Sequence, residues 1–227
     1  MTKSQMDKYT LYPLTHSEKR IYITQKTYPD SPMWNVMASI RIDKPIHPVL
    51  LKKAIGLVTA ENQNLRIHFS EQGGQVRQYD RAGLKPVIRE LDFIGHGGEE
   101  AYQRWLADER RTVLTVGNSP PHLFVIATVA QNAAYLCIKM HHIVADGHAL
   151  ATVSSNVVAC YEKLLEDQVI VAGDNQAGFL DTISLEQDYL DSGDFEEDKD
   201  YWLNHFKTAP EMVELVPRTT TEDLEHE

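Results

Sequence analysis

The residues with the greatest chemical potential are His141, His142, Asp146 and Gly147, inside Met140-His141-His142-Ile143-Val144-Ala145-Asp146-Gly147. An imidazole changes charge near neutral pH and can take or give a proton in a reaction, help worth on the order of 100- to 10,000-fold in rate. Two imidazoles, a carboxylate and a glycine at a junction between regular elements make a candidate centre for proton-transfer chemistry. Metal binding is the competing use, with His148 as a further ligand. Adjacent residues of a strand point to opposite faces, which makes chelation of one ion by His141 and His142 awkward, so no metal is expected. The chain carries neither a serine nucleophile elbow nor a reactive cysteine motif, so a covalent side-chain intermediate is not expected either.

The elements around the histidines must hold them in place. Residues 133–140 put Leu136, Ile138 and Met140 on one face and Tyr135, Cys137 and Lys139 on the other, the period-two pattern of a half-buried strand. Beyond the pair, Leu150, Val153, Val157, Tyr161 and Leu164 recur at helical spacing. The spacing predicts a strand, a tight turn and then a helix running to about Asp167. A preceding strand over 122–129, joined through Gln131-Asn132, completes a hairpin that delivers the histidines.

Upstream, Thr15 and Glu18 form a capping box for a helix to about Thr27. A loop over 28–32, a strand over 34–42 and a helix from His47-Pro48 follow, the proline suiting a first helical turn. Extended runs at 65–70 and 75–79 flank Gly73-Gly74 as a hairpin, with a further strand over 87–91 and a helix over 99–111. Helices are expected over 179–190 and 195–206. Residues 216–227, charged and without periodicity, read as an extended tail.

The chain has 227 residues, enough for a sizeable core, with 22 basic against 33 acidic side chains and a formal net charge of -11. No dense Lys/Arg cluster stands out, so neither nucleic acid nor an anionic membrane is expected as a partner. No apolar run is long enough to span a bilayer and residues 1–12 lack an apolar signal core, so a cytoplasmic location is expected. The two cysteines, Cys137 and Cys160, lack metal-ligand spacing and read as small buried apolar residues.

The histidine stretch resembles the central His-His-x-x-x-Asp-Gly signature of the condensation domains of nonribosomal peptide synthetases, within the chloramphenicol acetyltransferase-like superfamily. His141, His142, Asp146 and Gly147 match it, and Met140 stands in the family's usual place. Leu14-Thr15-His16-Ser17-Glu18-Lys19-Arg20-Ile21-Tyr22 is similar to the family's first motif, with Glu18 where a glutamine is usual. Asn64-Leu65-Arg66-Ile67-His68-Phe69 is similar to the second, but Glu61-Asn62-Gln63 replaces the Arg-His-Glu that commonly precedes it. Domains of that family are pseudo-dimers of two similar lobes about twice this length, and nothing here matches the motifs of the second lobe.

The resemblance implies an α/β (α+β) two-layer sandwich, a single acetyltransferase-like lobe with a mixed central sheet and helices mainly on one side. It divides the chain into a leader or docking segment over 1–13, the N-terminal lobe over 14–207, and a tail or linker over 208–227 toward a missing C-terminal lobe. The implied reaction moves an acyl or peptidyl group from one carrier-bound thioester to the amine of an aminoacyl thioester on another. A thiol of pKa ~8.5 leaves as thiolate without a strong acid. His142 would act as base or as positioning group, and the Gly147 N–H, at a helix start, would meet the developing oxyanion. His141 would support the turn, and Asp146, with Arg66 as its candidate partner, would hold the loop's shape. No cofactor is bound directly; the phosphopantetheine arm comes with the partner. The implied partners are donor and acceptor peptidyl carrier domains, the C-terminal lobe and an adenylation domain, and the lobe alone should be inactive. An acyltransferase using acyl-CoA or an alcohol, an epimerisation domain, and a non-catalytic docking lobe are the alternatives.

Overall fold

The computed structural model describes residues 8–117, 119–168 and 178–211, which leaves most of the expected leader and the 216–227 tail outside the described residues. Its elements follow the order α1 (His16–Thr27), β1 (Asn35–Ile42), α2 (Pro48–Glu61), a 3-10 turn (Gln63–Arg66), β2 (Ile67–Gln72), β3 (Gln75–Asp80) and β4 (Ile88–Asp92). Next come α3 (Gly98–Glu109), β5 (His122–Ala130), β6 (Ala133–His141), α4 (Gly147–Leu165), α5 (Asp181–Leu190) and α6 (Gly193–His205). The chain divides into two compact units at Ser184/Leu185, where the sequence alone suggests one lobe over 14–207. None of the described residues of the second unit is buried, so that segment brings no core of its own.

In the first unit a four-stranded sheet has the order β1-β6-β5-β4. β6 runs antiparallel to both its neighbours, and β4 lies parallel to β5, the two being joined through α3. The sheet is therefore mixed, and β6 sits inside it with partners on both edges. β2 and β3 form a separate hairpin whose two-residue turn places Gly73 and Gly74 at φ 57 and 78, the left-handed pair that a tight hairpin demands.

Alternation along the strands sorts the core into two clusters. Phe124, Ile126, Leu136, Ile138 and Met140 face Leu51, Ile55 and Val58 of α2 and Val153 and Val157 of α4. Burying each such side chain contributes on the order of 1.5–3 kcal/mol. The opposite face, Leu123, Val125, Ala127, Tyr135 and Cys137, is covered by Tyr102 and Leu106 of α3. Tyr102 stacks on Tyr135 at 4.1 Å between ring centroids, and its hydroxyl lies 2.6 Å from Ser39 Oγ of β1. The alternation of β6 is real, but its odd face does not meet water: every residue of β6 is buried. A half-buried strand is thus corrected to a strand buried on both faces, because α3 supplies the second cover.

Lys139 shows what that second cover costs and how it is offset. Its ammonium is buried and lies 2.7 Å from Glu109 O, 2.8 Å from Glu109 Oε1, 2.7 Å from Thr112 O and 2.6 Å from Thr112 Oγ1. The Asn35 side-chain amide donates to Thr112 O at 2.7 Å, and its oxygen accepts from the Leu114 N–H at 3.3 Å. Buried charge needs this density of partners, since an unpaired one costs several kcal/mol. Both cysteines are buried thiols, with burial pushing Cys137 up to about 12 and Cys160 above its ordinary value.

Replacing Lys139 by Met should take from the Glu109 carboxylate its buried cation, leaving it the Thr112 hydroxyl at 2.8 Å and the exposed Arg89 at 3.5 Å, and lower unfolding stability by about 3 kcal/mol in urea titrations. Lys139→Met/Glu109→Met should recover most of that loss, because two apolar groups leave no buried charge unpaired. A double variant no more stable than the single one would contradict this account.

Candidate active site

Strand β6 ends at His141 and α4 begins at Gly147, so His142 and four residues bridge the sheet to the helix. The bridge is tied down atom by atom. The His142 N–H donates to Trp34 O at 2.7 Å, the Ile143 N–H to His141 Nδ1 at 3.1 Å, and the Val144 N–H to His141 O at 3.1 Å. Asn64 Nδ2 reaches Val144 O at 3.2 Å from the 3-10 turn. Ile143, Val144 and Ala145 are buried in the α2/α4 core, which anchors the bridge by packing as well.

His142 itself is half-buried, with its ring edge-on to Trp34 at 5.8 Å between centroids and 83° between planes. The backbone bond fixes where the residue sits, and the Trp34 ring borders one side of its imidazole. His141 has none of that exposure, at 0%. Its Nδ1 accepts from Ile143, so Nε2 is the protonated nitrogen and donates to Gln25 Oε1 of α1 at 3.3 Å. Burial, followed by the neighbouring His142, pushes His141 down to about 4. The two adjacent imidazoles thus sit in different environments, one sealed and uncharged, the other reachable.

Asp146 is the N-cap of α4. Its Oδ1 accepts from the Ala149 N–H at 2.7 Å, and that bond holds the carboxyl below its ordinary value. The expected pairing with Arg66 is not made. Arg66 instead forms a two-pronged pair with Asp80 at the end of β3, Nε to Oδ1 at 3.0 Å and Nη2 to Oδ2 at 2.8 Å. Its Nη1 donates to the Ala60 carbonyl at the end of α2. Arg66 closes a 3-10 turn rather than lying in a strand, which aims its fork at the α2 carbonyls and Asp80 and away from the histidine bridge. It fastens α2 to the β2–β3 hairpin.

Gly147 is the first residue of α4, and an added Cβ there would meet nothing among the described residues within 4 Å. His148 is exposed beside it. No group of three or more metal-ligating side chains occurs among the described residues. At the other end of the site, Glu18 completes the capping box of α1 with Thr15 and also accepts from Gln78 Nε2 at 2.8 Å. Three donors, the Thr15 N–H, the Thr15 hydroxyl and Gln78 Nε2, thus converge on one oxygen, Glu18 Oε2. Gln25 and Trp34 were not singled out from the sequence: a lone glutamine on a polar helix and a tryptophan at a strand start carry no spacing signal.

A family model described as the condensation domain matches residues 8–226, and the chain belongs to that family. Surfactin synthase subunit 1 of Bacillus subtilis (strain 168) is 27% identical over 211 residues, covering 91% of this chain and 6% of that protein. The dimodular nonribosomal peptide synthase of the same organism is 26% identical over 220 residues, covering 95% and 9%. Among solved structures, a variant of the starter condensation domain of rhizomide synthetase, in complex with C8-CoA and Leu-SNAC, is 24% identical with a TM-score of 0.83, covering 97% of this chain and 50% of that one. The first condensation domain of the calcium-dependent antibiotic synthetase, with a substrate analogue, is 22% identical with a TM-score of 0.78, covering 90% and 50%. The chain therefore spans less than a tenth of these two synthetases and half of each solved chain, which share its fold. No helix among the described residues is long and apolar enough to cross a membrane.

Two outcomes follow from this geometry. Asp146→Ala should remove the cap and cost about 1 kcal/mol in unfolding stability, whereas Asp146→Asn should stay within a few tenths. Equal losses in thermal or urea unfolding would mean the cap bond matters little. Burial also holds His122 down at about 4, with His68 as a second cause, and lowers His68. Unfolded, such side chains take a proton near 6.5. Between those values the unfolded chain binds more protons, so stability that is complete above about pH 6.5 is lost as pH falls toward 4. The urea midpoint should drop steadily across that window, and less steeply in His122→Leu; a flat profile would contradict the burial of these rings.

Proposed function

We propose that this chain supplies the histidine-bearing half of a condensation domain that forms amide bonds between carrier-bound thioesters. The observation that carries the proposal is the half-buried His142 ring, held by Trp34 at a fixed strand-to-helix bridge in a chain matched to the condensation family over 8–226. In this reading the amine nitrogen of an aminoacyl thioester attacks the carbonyl carbon of an acyl or peptidyl thioester. The N–C bond forms, the C–S bond breaks, and the thiolate leaves. His142 takes the proton that the attacking nitrogen sheds, or holds the amine in line, and the proton ends on the departing sulfur.

Gly147 supports the same reading from the side of the oxyanion. The first N–H groups of a helix lack intrahelical acceptors and lie at the positive end of its dipole, which suits them to developing negative charge. Nothing among the described residues crowds the Gly147 Cα, which leaves its bare backbone open to a group that approaches from outside. The arms that present both thioesters belong to the carrier partners and are substrate here. That a related domain was solved with an acyl-CoA and an aminoacyl thioester supports an acyl thioester as donor and an aminoacyl thioester as acceptor.

The test is single-turnover condensation by the complete domain, with donor and acceptor carrier proteins loaded separately and the product read by mass spectrometry. His142→Ala should slow product formation by about 100-fold or more, and Gly147→Ala should slow it while leaving the unfolding midpoint unchanged or raised. Full activity in His142→Ala would sink the proposal. Faster transfer from acyl-CoA than from loaded carrier would replace it with a free-acyl-CoA enzyme.

A further inference from the structure

Gln25 touches both structures that frame His142, although it lies 116 residues away from His141. It is on the last turn of α1, buried at 8% exposure. Its Nε2 lies 3.1 Å from Tyr28 O, 3.3 Å from Pro29 O and 3.2 Å from Ser31 O. Carbonyl oxygens only accept, so this end of the amide must be its NH2, and the opposite end, facing His141, must be its oxygen. The direction of the amide is thus settled by three carbonyls and needs no appeal to the histidine.

From the other side, Nδ1 of His141 accepts the Ile143 N–H, which also makes Nε2 the protonated nitrogen. Two independent constraints therefore choose the same tautomer. The carbonyls that Gln25 gathers belong to the 28–31 loop, which is closed by Ser31 N–H to Tyr28 O at 3.1 Å and runs on through Asn35 N–H to Pro32 O at 2.9 Å. That loop ends in Trp34, whose carbonyl and ring hold His142.

We propose that Gln25 is a positioning residue for His142, joining the His141 side of the bridge and the Trp34 side through one amide group. It touches no reacting atom. It sets the tautomer of His141, hence the turn at Ile143, and it sets the path of the loop that delivers Trp34. The inference rests on the assignment of His142 to the reaction. An error of about 1 Å in the placing of such a group costs on the order of 100-fold in rate.

The first measurement needs no variant: long-range proton–nitrogen NMR of the histidine rings in the 227-residue chain. His141 should carry its proton on Nε2; a proton on Nδ1 overturns the proposal. The second compares Gln25→Met, similar in shape but without the amide, with the unaltered complete domain. We expect kcat to fall by about 10- to 100-fold with KM for both loaded carriers within about twofold, and His141 to show mixed tautomers. An unchanged kcat overturns the proposal. If Gln25→Met does not fold, the tautomer in the unaltered chain still decides. The outcomes separate from the functional reading, which fails if His142→Ala stays active or if acyl-CoA outpaces the loaded carrier.

Discussion

A buried imidazole has two nitrogens that must both be satisfied, and at His141 the solutions come from opposite directions. One nitrogen takes a backbone proton from two residues ahead, and the other gives its proton to a glutamine on the first helix. The ring can do this only while uncharged, because an added proton would face the Ile143 N–H. Burial keeps it uncharged. The turn that follows, the exposure of the next histidine and the start of α4 all depend on that arrangement, since a rotated His141 would release Ile143 and with it the path of the bridge.

The sheet provides the rigidity on which this arrangement rests. β6 is paired along both edges, so the position of its last residue is set by β1 and β5 together. Packing fixes the other directions: α2 and α4 press on one face, α3 on the other. His141, the last residue of β6, takes its position from that element, and the bridge that carries His142 starts from it. The β1 side contributes twice, because Asn35 pairs in register with His141 while its side chain grips Thr112 and Leu114.

Much of this was legible in the residues. Alternation placed β5 and β6, helical spacing placed α4, the Thr15–Glu18 box placed the start of α1, and Gly73-Gly74 placed a hairpin, because each is a local rule with a local signal. Lys139 was misread for the same reason. A lysine on an alternating strand ordinarily marks the wet face, and only the partners contributed by Glu109 and Thr112, some thirty residues earlier in sequence, allow it inside. Arg66 failed likewise: its motif suggested Asp146, but the 3-10 turn that ends on it directs the side chain to Asp80. Gln25 and Trp34 were invisible because their roles exist only once α1, the 28–34 loop and β6 are brought together.

The sealed state of both cysteines bears on their own reactivity. Thioesters exchange with any accessible thiolate, and the attacking species is the deprotonated form. Cys137 lies under α3 with 0% exposure and Cys160 at 8%, and burial keeps each in the unreactive protonated form. A buried, protonated thiol is a poor nucleophile, so neither side chain should capture an electrophile that reaches this fold from solution.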